Sequence, residues 1–498
     1  MDDTTVSPQP ALDEAPHQTS STSDNAPRSI LSYFRYRPTL PVEEITPRDR
    51  HNGMQKVILA WVAGSIFFEG IGGTPFVGMF RMLGATPAWI GLLVALPSLA
   101  SLATPIGSWI MARTGSRKRF FLRFSYTGRA MWLVVIFAGL ILPHGSSATL
   151  TFLFGCILFG RLAMALTQPA WWSWVSDLIP AERFGEYWGR RQMWGRISGA
   201  VGLLILNWFL GADPTYGRFV FYFTIVSLFG LFDIFIHRGV TGIRVKVNRE
   251  EPPQFHRLFI EPIRDRKFRP LLIFIGCFAF ANQLGGGMLH LMFLEDFQLT
   301  YFEIALYMPG LLGIMWVIGS RFWGRLVDNL HDGRRIVFIV CSVVVATHVL
   351  IFVFTGPRQH SLIATALALG GISWSGYHIA LTALIIGMSP SHARGQYFAA
   401  YAVFFGIGDM LGAISAGQLA ELFAGLNYEL GPLHLTQFRT PYLISAGLRV
   451  SCLFLLPFIR EPDSRPIGVF VRRIFSLNPF HRGTWVYVRS KLDRPRSM

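Results

Sequence analysis

The sequence predicts an all-α membrane protein with twelve transmembrane helices in two pseudo-symmetric six-helix bundles. Three observations lead to this prediction: the length of the apolar blocks, the placement of basic residues between them, and an internal repeat. Of the 498 residues, 51% are hydrophobic and only 15% are charged, whereas soluble domains carry about 25% charged residues. The apolar residues fall into blocks of about 20 or more, the length that a helix needs to cross about 30 Å of hydrocarbon.

Twelve such blocks follow one another along the chain. They extend over about 57–80, 88–112, 124–143, 148–176, 192–211 and 219–237, and then over about 271–294, 303–326, 336–356, 361–388, 397–424 and 441–459. Blocks 192–211 and 397–424 are rich in Gly and Ala, which lets helix backbones approach closely in a membrane.

The blocks divide the chain into five regions. We expect a first bundle at 51–237, a linker at 238–270 and a second bundle at 271–460. Residues 1–50 are rich in Ser, Thr, Pro and Asp, which predicts a disordered cytoplasmic tail. Residues 461–498 form a basic tail that we also expect in the cytoplasm.

The basic residues predict the orientation. Lys and Arg are concentrated in both tails and in the even-numbered gaps between blocks, whereas the odd-numbered gaps hold only Arg81, Arg218, Arg358 and Arg439. Because cytoplasmic loops of membrane proteins are enriched in Lys and Arg, we expect both termini on the cytoplasmic side of the inner membrane. The same rule accounts for the net charge of +16 without nucleic acid as a partner.

The linker at 238–270 has two readings. It carries nine basic and four acidic residues, and from Phe255 to Phe268 it mixes apolar and charged side chains. That mixture is typical of an amphipathic helix at the membrane interface. A solvated connection between the bundles fits the composition equally well, so both interpretations stay open.

Three short segments recur in the same order in both halves. Thr86–Ile90 is matched by Thr300–Ile304, Ile106–Ser108 by Ile318–Ser320, and Pro180–Tyr187 by Pro390–Tyr397. Secondary transporters are often built from such repeated halves. The repeat therefore predicts two halves of parallel topology and a transport function.

A loop between the eighth and ninth blocks resembles the signature loop of the major facilitator superfamily, Gly-x-x-x-Asp-(Arg/Lys)-x-Gly-(Arg/Lys)-(Arg/Lys). It runs from Gly324 to Arg335, with about two extra residues in the turn. The matching positions are Gly324, Asp328, Gly333, Arg334 and Arg335. The resemblance is to the superfamily and to its poorly characterised bacterial members. It implies that these residues lock helix ends together in one access state.

The first-half copy of this loop, from Ser108 to Arg117, departs from the pattern because Ala112 stands at the acidic position. Arg113 therefore needs another partner. Asp177, at the end of the fourth block, is one candidate, and lipid headgroups are the other.

Charged residues inside the blocks are the first site candidates, because a charge near the bilayer centre costs a few kcal/mol on insertion scales. Glu69 in the first block and Arg161 in the fourth both fall near mid-depth. The resemblance implies that these two blocks line the central cavity, so the pair could couple proton movement to transport. A static salt bridge between two helices is the competing interpretation.

Further coupling or substrate candidates are polar and aromatic residues of blocks expected to face the cavity, and one acid in a glycine-rich block. They are Gln168, Gln283, Trp374, Tyr377, His378 and Asp409. We expect Asp409 to contact the eighth or tenth block. Asp233 is a weaker candidate, because it is close enough to the end of its block to reach the cytoplasmic boundary.

No motif indicates catalysis. The sequence has no Gly-x-x-x-x-Gly-Lys-(Ser/Thr) loop for ATP and no His-Glu-x-x-His or Gly-x-Ser-x-Gly pattern. We therefore expect no enzyme activity, no cofactor and no metal. The prediction is a monomeric, proton-coupled secondary transporter of a small molecule of unknown class. The alternative is a transporter-like sensor or scaffold without transport activity.

Overall fold

The computed structural model describes residues 36–37, 39–40, 45–114, 117–180, 184–243, 257–329, 333–390, 393–431 and 433–459. Eleven helices in these ranges are long and apolar enough to cross a membrane, and a bent pair of helices makes a twelfth span. The predicted count of twelve is confirmed, and the protein is an all-α membrane protein. The predicted tail at 461–498 and residues 1–35 lie outside the described ranges.

The spans are labelled in chain order. In the first half, α1 consists of Pro47–Gly70 and Gly73–Met82, followed by α2 Pro87–Ile110, α3 Arg117–Ile141, α4 Ser147–Ser176, α5 Glu186–Leu210 and α6 Tyr216–Arg238. In the second half, α7 is Arg269–Asp296, α8 Tyr301–Val327, α9 Arg334–Phe354, α10 His360–Met388, α11 Arg394–Leu422 and α12 Arg439–Phe458.

The first helix begins at Pro47, ten residues before the predicted start at 57 and inside the region predicted as a disordered tail. The start is fixed locally. Thr46 caps the helix by accepting a hydrogen bond from the backbone nitrogen of Asp49, and Pro47 occupies the first turn, where its missing N–H costs nothing.

The two parts of α1 meet at an angle of 44°. Gly73 adopts a positive φ of 67°, a conformation that favours glycine, and Pro75 follows it in the second part. The bend therefore follows from the sequence, and it leaves backbone carbonyl groups at the break without partners in the helix.

The beginning of α1 and the end of α6 are joined by a short parallel pairing of β1 (Thr39–Leu40) with β2 (Gly242–Ile243). The ammonium group of Lys118, at the start of α3, donates to the carbonyl oxygens of Arg37 at 2.6 Å, Arg238 at 2.9 Å and Val240 at 2.6 Å. We call this end of the molecule the termini end and the opposite one the far end.

Two shorter features complete the described chain. Within the linker, Arg257–Arg264 forms a helix of 8 residues. At the far end, β3 (Asn427–Leu430) and β4 (Leu433–Thr436) form an antiparallel hairpin between α11 and α12.

The internal repeat corresponds to equivalent packing in the two halves. A Cβ at Gly107 of α2 would overlap the backbone of Leu166 in α4, and a Cβ at Gly319 of α8 would overlap the backbone of Ile372 in α10. Thr86 and Thr300 are the N-cap residues of α2 and α8. The repeated Ile-Gly-Ser and Thr segments therefore occupy matching positions in two related bundles.

Buried apolar side chains form three clusters. The largest, at the far end, contains residues of both halves, among them Phe76 and Phe80 of α1 with Phe293 and Phe297 of α7. The other two lie toward the termini end, and each contains residues of one half only. Among the described residues, the halves thus share a core at the far end and have separate cores at the termini end.

Candidate functional site

A cavity of 370 Å³ lies between the two halves, and we call it the central cavity. Residues of α1 and α4 line it on one side, and residues of α7, α10 and α12 on the other. Its polar lining includes Arg161, Asn282, Gln283, His290 and Arg449, and its aromatic lining includes Phe76, Trp374 and Tyr442. Three of the predicted site residues, Arg161, Gln283 and Trp374, therefore meet in one place.

Contacts between the halves close the central cavity toward the far end. Thr74 of α1 and His290 of α7 share a hydrogen bond of 2.9 Å. Arg81 and Glu295 form an ion pair at 3.0 Å near the ends of the same two spans. Tyr301 of α8 lies so close to Gly78 that no Cβ would fit between them.

At the termini end, α2 and α11 diverge. They pack tightly from Gly91, which touches Gly417, to Leu102, which touches Gly406. Beyond that point a cavity of 400 Å³ opens between them, with Thr104 and Trp109 among its lining residues.

A second cavity, of 520 Å³, lies within the first half and reaches toward the termini end; we call it the tryptophan cavity. Four indole rings line it, those of Trp61, Trp171, Trp172 and Trp188. Gln168, a predicted site residue, and Gln192 add side-chain amides. Arg161 and Pro97 line both this cavity and the central one, so the two cavities meet at Arg161.

Arg191, near the start of α5, is held among these rings. Its guanidinium carbon lies 4.1 Å from the ring centre of Trp61, 4.8 Å from that of Trp171 and 4.7 Å from that of Trp188. Such cation–π contacts are worth about 1–2 kcal/mol each when desolvated. Its Nη1 donates to Gln192 Oε1 at 3.1 Å, whereas its buried Nε finds no hydrogen-bond acceptor among the described residues.

Glycine on α5 makes room for this arrangement. A Cβ at Gly195 would overlap the indole nitrogen of Trp61. Gly195 therefore allows Trp61 to lie against α5, where Arg191 stacks on it.

Arg161 does not pair with Glu69. Its Nη2 donates to the carbonyl oxygen of Ile71 at 3.2 Å, which satisfies a backbone group exposed by the bend in α1. Its guanidinium lies 5.7 Å from the ring centre of Trp132, and its buried Nε has no hydrogen-bond acceptor in the described ranges.

Glu69 contacts Arg196 instead, at 3.5 Å. Gly199 explains why: a Cβ there would lie 2.8 Å from the Glu69 carboxylate, so glycine lets the carboxylate approach α5. The expected pair across the pathway is thus replaced by a contact within the first half, and the Arg196 side chain is 65% exposed.

A buried charge cluster lies beside the tryptophan cavity, and no pattern in the sequence predicts it. Arg129 of α3 forms an ion pair with Asp233 of α6, and both side chains are almost fully buried. His237 Nδ1 contacts Asp233 Oδ1 at 3.1 Å, and Trp171 donates its indole N–H to His237 Nε2 at 3.0 Å. Because an indole nitrogen only donates, these contacts assign the proton of the neutral imidazole to Nδ1. From its position in the sequence, Asp233 was expected to reach the cytoplasmic boundary. Instead it pairs with Arg129 and His237 inside the bundle.

Asp409 of α11 contacts α2 rather than the expected eighth or tenth span. Ser98 donates to its Oδ2 at 2.5 Å. The contact joins the two halves near the middle of α2 and α11, just before these helices diverge.

Tyr377 and His378 do not line the central cavity. Tyr377 is buried in the second half, with its ring 5.5 Å from that of Phe278. His378 lies between Trp316 and Trp374, at 5.4 and 5.6 Å. The central cavity receives their neighbour Trp374 instead, because successive helical residues point in different directions.

The predicted gating loops are described in part. Asp177 pairs with Arg117 at 2.5 Å. The side chains of Arg113 and Asp328 lie outside the described residues, and Gly333 is the first residue of the helix that continues as α9. Gly324 lies in α8 with open space where a Cβ would be, and Arg334 and Arg335 lie in the first turn of α9.

In the second half, Arg449 of α12 lines the central cavity, and each of its three nitrogens donates one hydrogen bond to the protein. Nε donates to Ser445 Oγ at 3.0 Å, Nη1 to the carbonyl oxygen of Val345 at 3.1 Å, and Nη2 to that of Asn282 at 3.1 Å. This arginine joins α12 to α7 and α9. No motif in the sequence predicts this role for Arg449.

Two related six-helix bundles around a central cavity define a membrane transporter. A model of the Major Facilitator Superfamily matches residues 58–413 and 317–491. The chain belongs to this superfamily, and it is therefore a multi-pass membrane transporter of a small molecule rather than an enzyme.

Its relatives agree with this assignment. An uncharacterized MFS-type transporter of Methanocaldococcus jannaschii is 22% identical over an alignment of 415 residues that covers 79% of this chain and 97% of the relative. A mutant of the nucleoside transporter NupG superimposes with a TM-score of 0.64 at 14% identity, covering 82% of this chain and 100% of that one. A bacterial homologue of the iron transporter ferroportin, in an inward-facing state, gives 0.60 at 13% identity, covering 82% and 99%. At these identities the structures show the fold alone.

Proposed function

We propose that this protein is a secondary active transporter that moves a small solute across the cytoplasmic membrane by alternating access. The observation that supports it most is the distribution of the buried clusters: one core shared by both halves at the far end, and a separate core in each half at the termini end. Two bodies joined at one end around a central cavity can rock to open the other end.

The basic tails and gaps favour the termini end as the cytoplasmic one. In that orientation the arrangement described is open to the inside. The halves that rock are the bundles at 51–237 and 271–460, and the segment 238–270 connects them.

For coupling to protons, we propose Asp409 as the first candidate and Glu69 as the second. The contact of Asp409 with Ser98 joins α2 and α11, which must move relative to each other when access alternates. A carboxylate that faces a hydroxyl group can gain or lose a proton without breaking an ion pair. The contact of Glu69 with the exposed Arg196 ties it to the first half alone.

The test is uptake into proteoliposomes of a panel of organic anions, sugars, nucleosides and organic amines, with and without an inward proton gradient. We expect at least one class to accumulate with the gradient, and Asp409→Asn to abolish the gradient-driven part while leaving exchange of solute intact. Asp213→Asn, in an exposed loop of the far end, is the matched control and should behave as the wild type.

Two outcomes would contradict the proposal. Failure to transport any class in the panel would favour the sensor or scaffold alternative. Undiminished gradient-driven uptake by both Asp409→Asn and Glu69→Gln would exclude these carboxylates as coupling groups.

A further inference from the structure

The tryptophan cavity contains more positive charge than its own residues neutralise. Three arginines line it, Arg129, Arg161 and Arg191, together with the single acid Asp233 and the histidine His237. Asp233 is already engaged by Arg129 and His237. Among the described residues, neither Arg161 nor Arg191 forms an ion pair, and Asp233 acts on Arg191 only from beyond contact distance.

Two such cations within a membrane bundle are costly. A charged side chain within a helix costs about 2.5–3.5 kcal/mol at the bilayer centre on insertion scales. Indole rings recover part of this cost, since they face both guanidinium groups. The rings do not satisfy the N–H donors at the edges of the guanidinium groups. Both Nε atoms are buried and donate to no acceptor in the described chain.

The shape of these edges indicates what they would bind. A guanidinium presents parallel N–H donors whose spacing matches the oxygens of a carboxylate, sulfonate or phosphate. Trp61, Trp171 and Trp188 lie around the guanidinium of Arg191, and an anion would bind at its remaining N–H edge. Arg191 is only 5% exposed, which argues against its serving a lipid headgroup at the bundle surface.

The aromatic side chains that line the tryptophan cavity indicate the chemistry of the rest of the ligand. The rings of Trp172 and Trp188 lie 4.7 Å apart, and Trp172 is 44% exposed. Flat aromatic groups stack on such rings at little entropic cost. The volume of 520 Å³ falls within the range of about 300–1,000 Å³ that is usual for small-molecule sites.

We propose that the tryptophan cavity binds a planar aromatic organic anion, with the anionic group at the edge of Arg191 and the ring against Trp172 and Trp188. Arg161 provides a second binding position for the anionic group. It lies ten residues before Trp171 on α4, about 15 Å along the helix, where the cavity meets the central one. This inference rests on the proposed transport function and names the substrate class for it.

Binding to the purified full-length protein tests the inference, by calorimetry and by ligand-induced thermal stabilisation. The probe is naphthalene-1-sulfonate, which stays charged at all accessible pH values. Its neutral counterpart is naphthalene-1-sulfonamide, and its non-aromatic counterpart is cyclohexanesulfonate. We expect the first to bind at least about tenfold more tightly than either counterpart, as charge-assisted hydrogen bonds and aromatic stacking require.

Substitutions at two neighbouring arginines of α5 provide a matched control. Arg191→Gln should weaken binding of naphthalene-1-sulfonate about tenfold or more, and Arg191→Lys should recover little, because an ammonium group lacks the planar edge. Arg190→Gln, the exposed neighbour, should bind as the wild type. Equal binding of the sulfonamide, or equal losses in Arg190→Gln and Arg191→Gln, would overturn the inference.

Uptake of the same probe into proteoliposomes separates this inference from the transport proposal. Binding without uptake of any solute would contradict transport and leave the anion site in place. Uptake of another solute class, with no binding of naphthalene-1-sulfonate, would overturn the anion site and leave transport in place.

Discussion

The two halves share their helix packing but use buried arginine in opposite ways. In the first half, Arg129 forms an ion pair with Asp233, and Arg161 and Arg191 keep donors that no described protein group accepts. In the second half, Arg449 donates to a hydroxyl and to two backbone carbonyls of neighbouring spans. We propose that the first half uses this charge to bind a solute, whereas Arg449 in the second half joins helices.

The two halves also differ in where a buried arginine–aspartate ion pair lies. In the first half, Arg129 and Asp233 lie inside the bundle beside a cavity. In the second half, Arg439 and Asp296 pair at 3.2 Å at the far end, where α7 ends and α12 begins. Repeated halves can therefore diverge in chemistry while their glycine packing stays equivalent. We expect the first half to recognise the solute, because its cavity-lining Arg161 and Arg191 keep unsatisfied Nε donors.

The largest expected effect is the loss of the buried ion pair. Arg129→Leu should lower the free energy of unfolding by about 3–5 kcal/mol, because it leaves Asp233 buried without its cation. Arg449→Leu should cost about 1–3 kcal/mol, because it leaves only neutral acceptors. Thermal unfolding of both variants in the same detergent measures the difference, and a larger loss in Arg449→Leu would contradict the comparison.

A smaller loss of stability is expected at Gly195, where α5 lies against Trp61 of the tryptophan cavity. Gly195→Ala should destabilise the protein by about 1–3 kcal/mol through overpacking, because its Cβ would displace Trp61. Binding of naphthalene-1-sulfonate should weaken with it. Gly189→Ala, on the same helix with nothing near its Cβ, should be neutral or stabilising by about 0.5–1 kcal/mol. Equal melting temperatures for the two variants would argue against the position of Trp61.

The smallest effect is expected at the ion pair that joins the loop region of the first half to α4. Arg117→Gln removes the pair with Asp177, whose side chain is 42% exposed, and a hydrogen bond from the 12% exposed Arg117 to the carbonyl oxygen of Ser173. Because a partly exposed ion pair and one hydrogen bond together contribute about 0–2 kcal/mol, the melting temperature should fall much less than for Arg129→Leu. A loss comparable to that of Arg129→Leu would mean that this pair supports the fold, as the signature-loop interpretation would require.

The sequence was sufficient to predict the twelve spans and the pseudo-symmetry. Span length follows from bilayer thickness, and each repeated glycine segment marks a helix crossing. The close approach predicted for the glycine-rich block 192–211 is confirmed at Gly195 and Gly199. These features are local, so a single chain displays them.

The site was predicted only in part, because its contacts connect residues far apart in the sequence. Arg129 and Asp233 are 104 positions apart, and nothing in either segment identifies the other. Glu69 and Arg161 were expected to pair because both lie near mid-depth. The bend in α1 gives Arg161 a carbonyl partner, and Gly199 brings Glu69 to α5. Arg191 directly precedes the predicted block 192–211 and so counts among the basic residues of an even-numbered gap. The three indole rings around it come from α1, α4 and α5.

The most direct test of the difference between the halves is the affinity of naphthalene-1-sulfonate for Arg191→Gln and Arg449→Gln, each measured on the folded fraction of the purified protein. Both substitutions remove one buried arginine that lines a cavity. The account predicts a loss of about tenfold or more for Arg191→Gln and less than about threefold for Arg449→Gln. Arg449 lines the central cavity rather than the tryptophan cavity, and each of its three nitrogens already donates to a protein acceptor. A loss for Arg449→Gln as large as that for Arg191→Gln would contradict it.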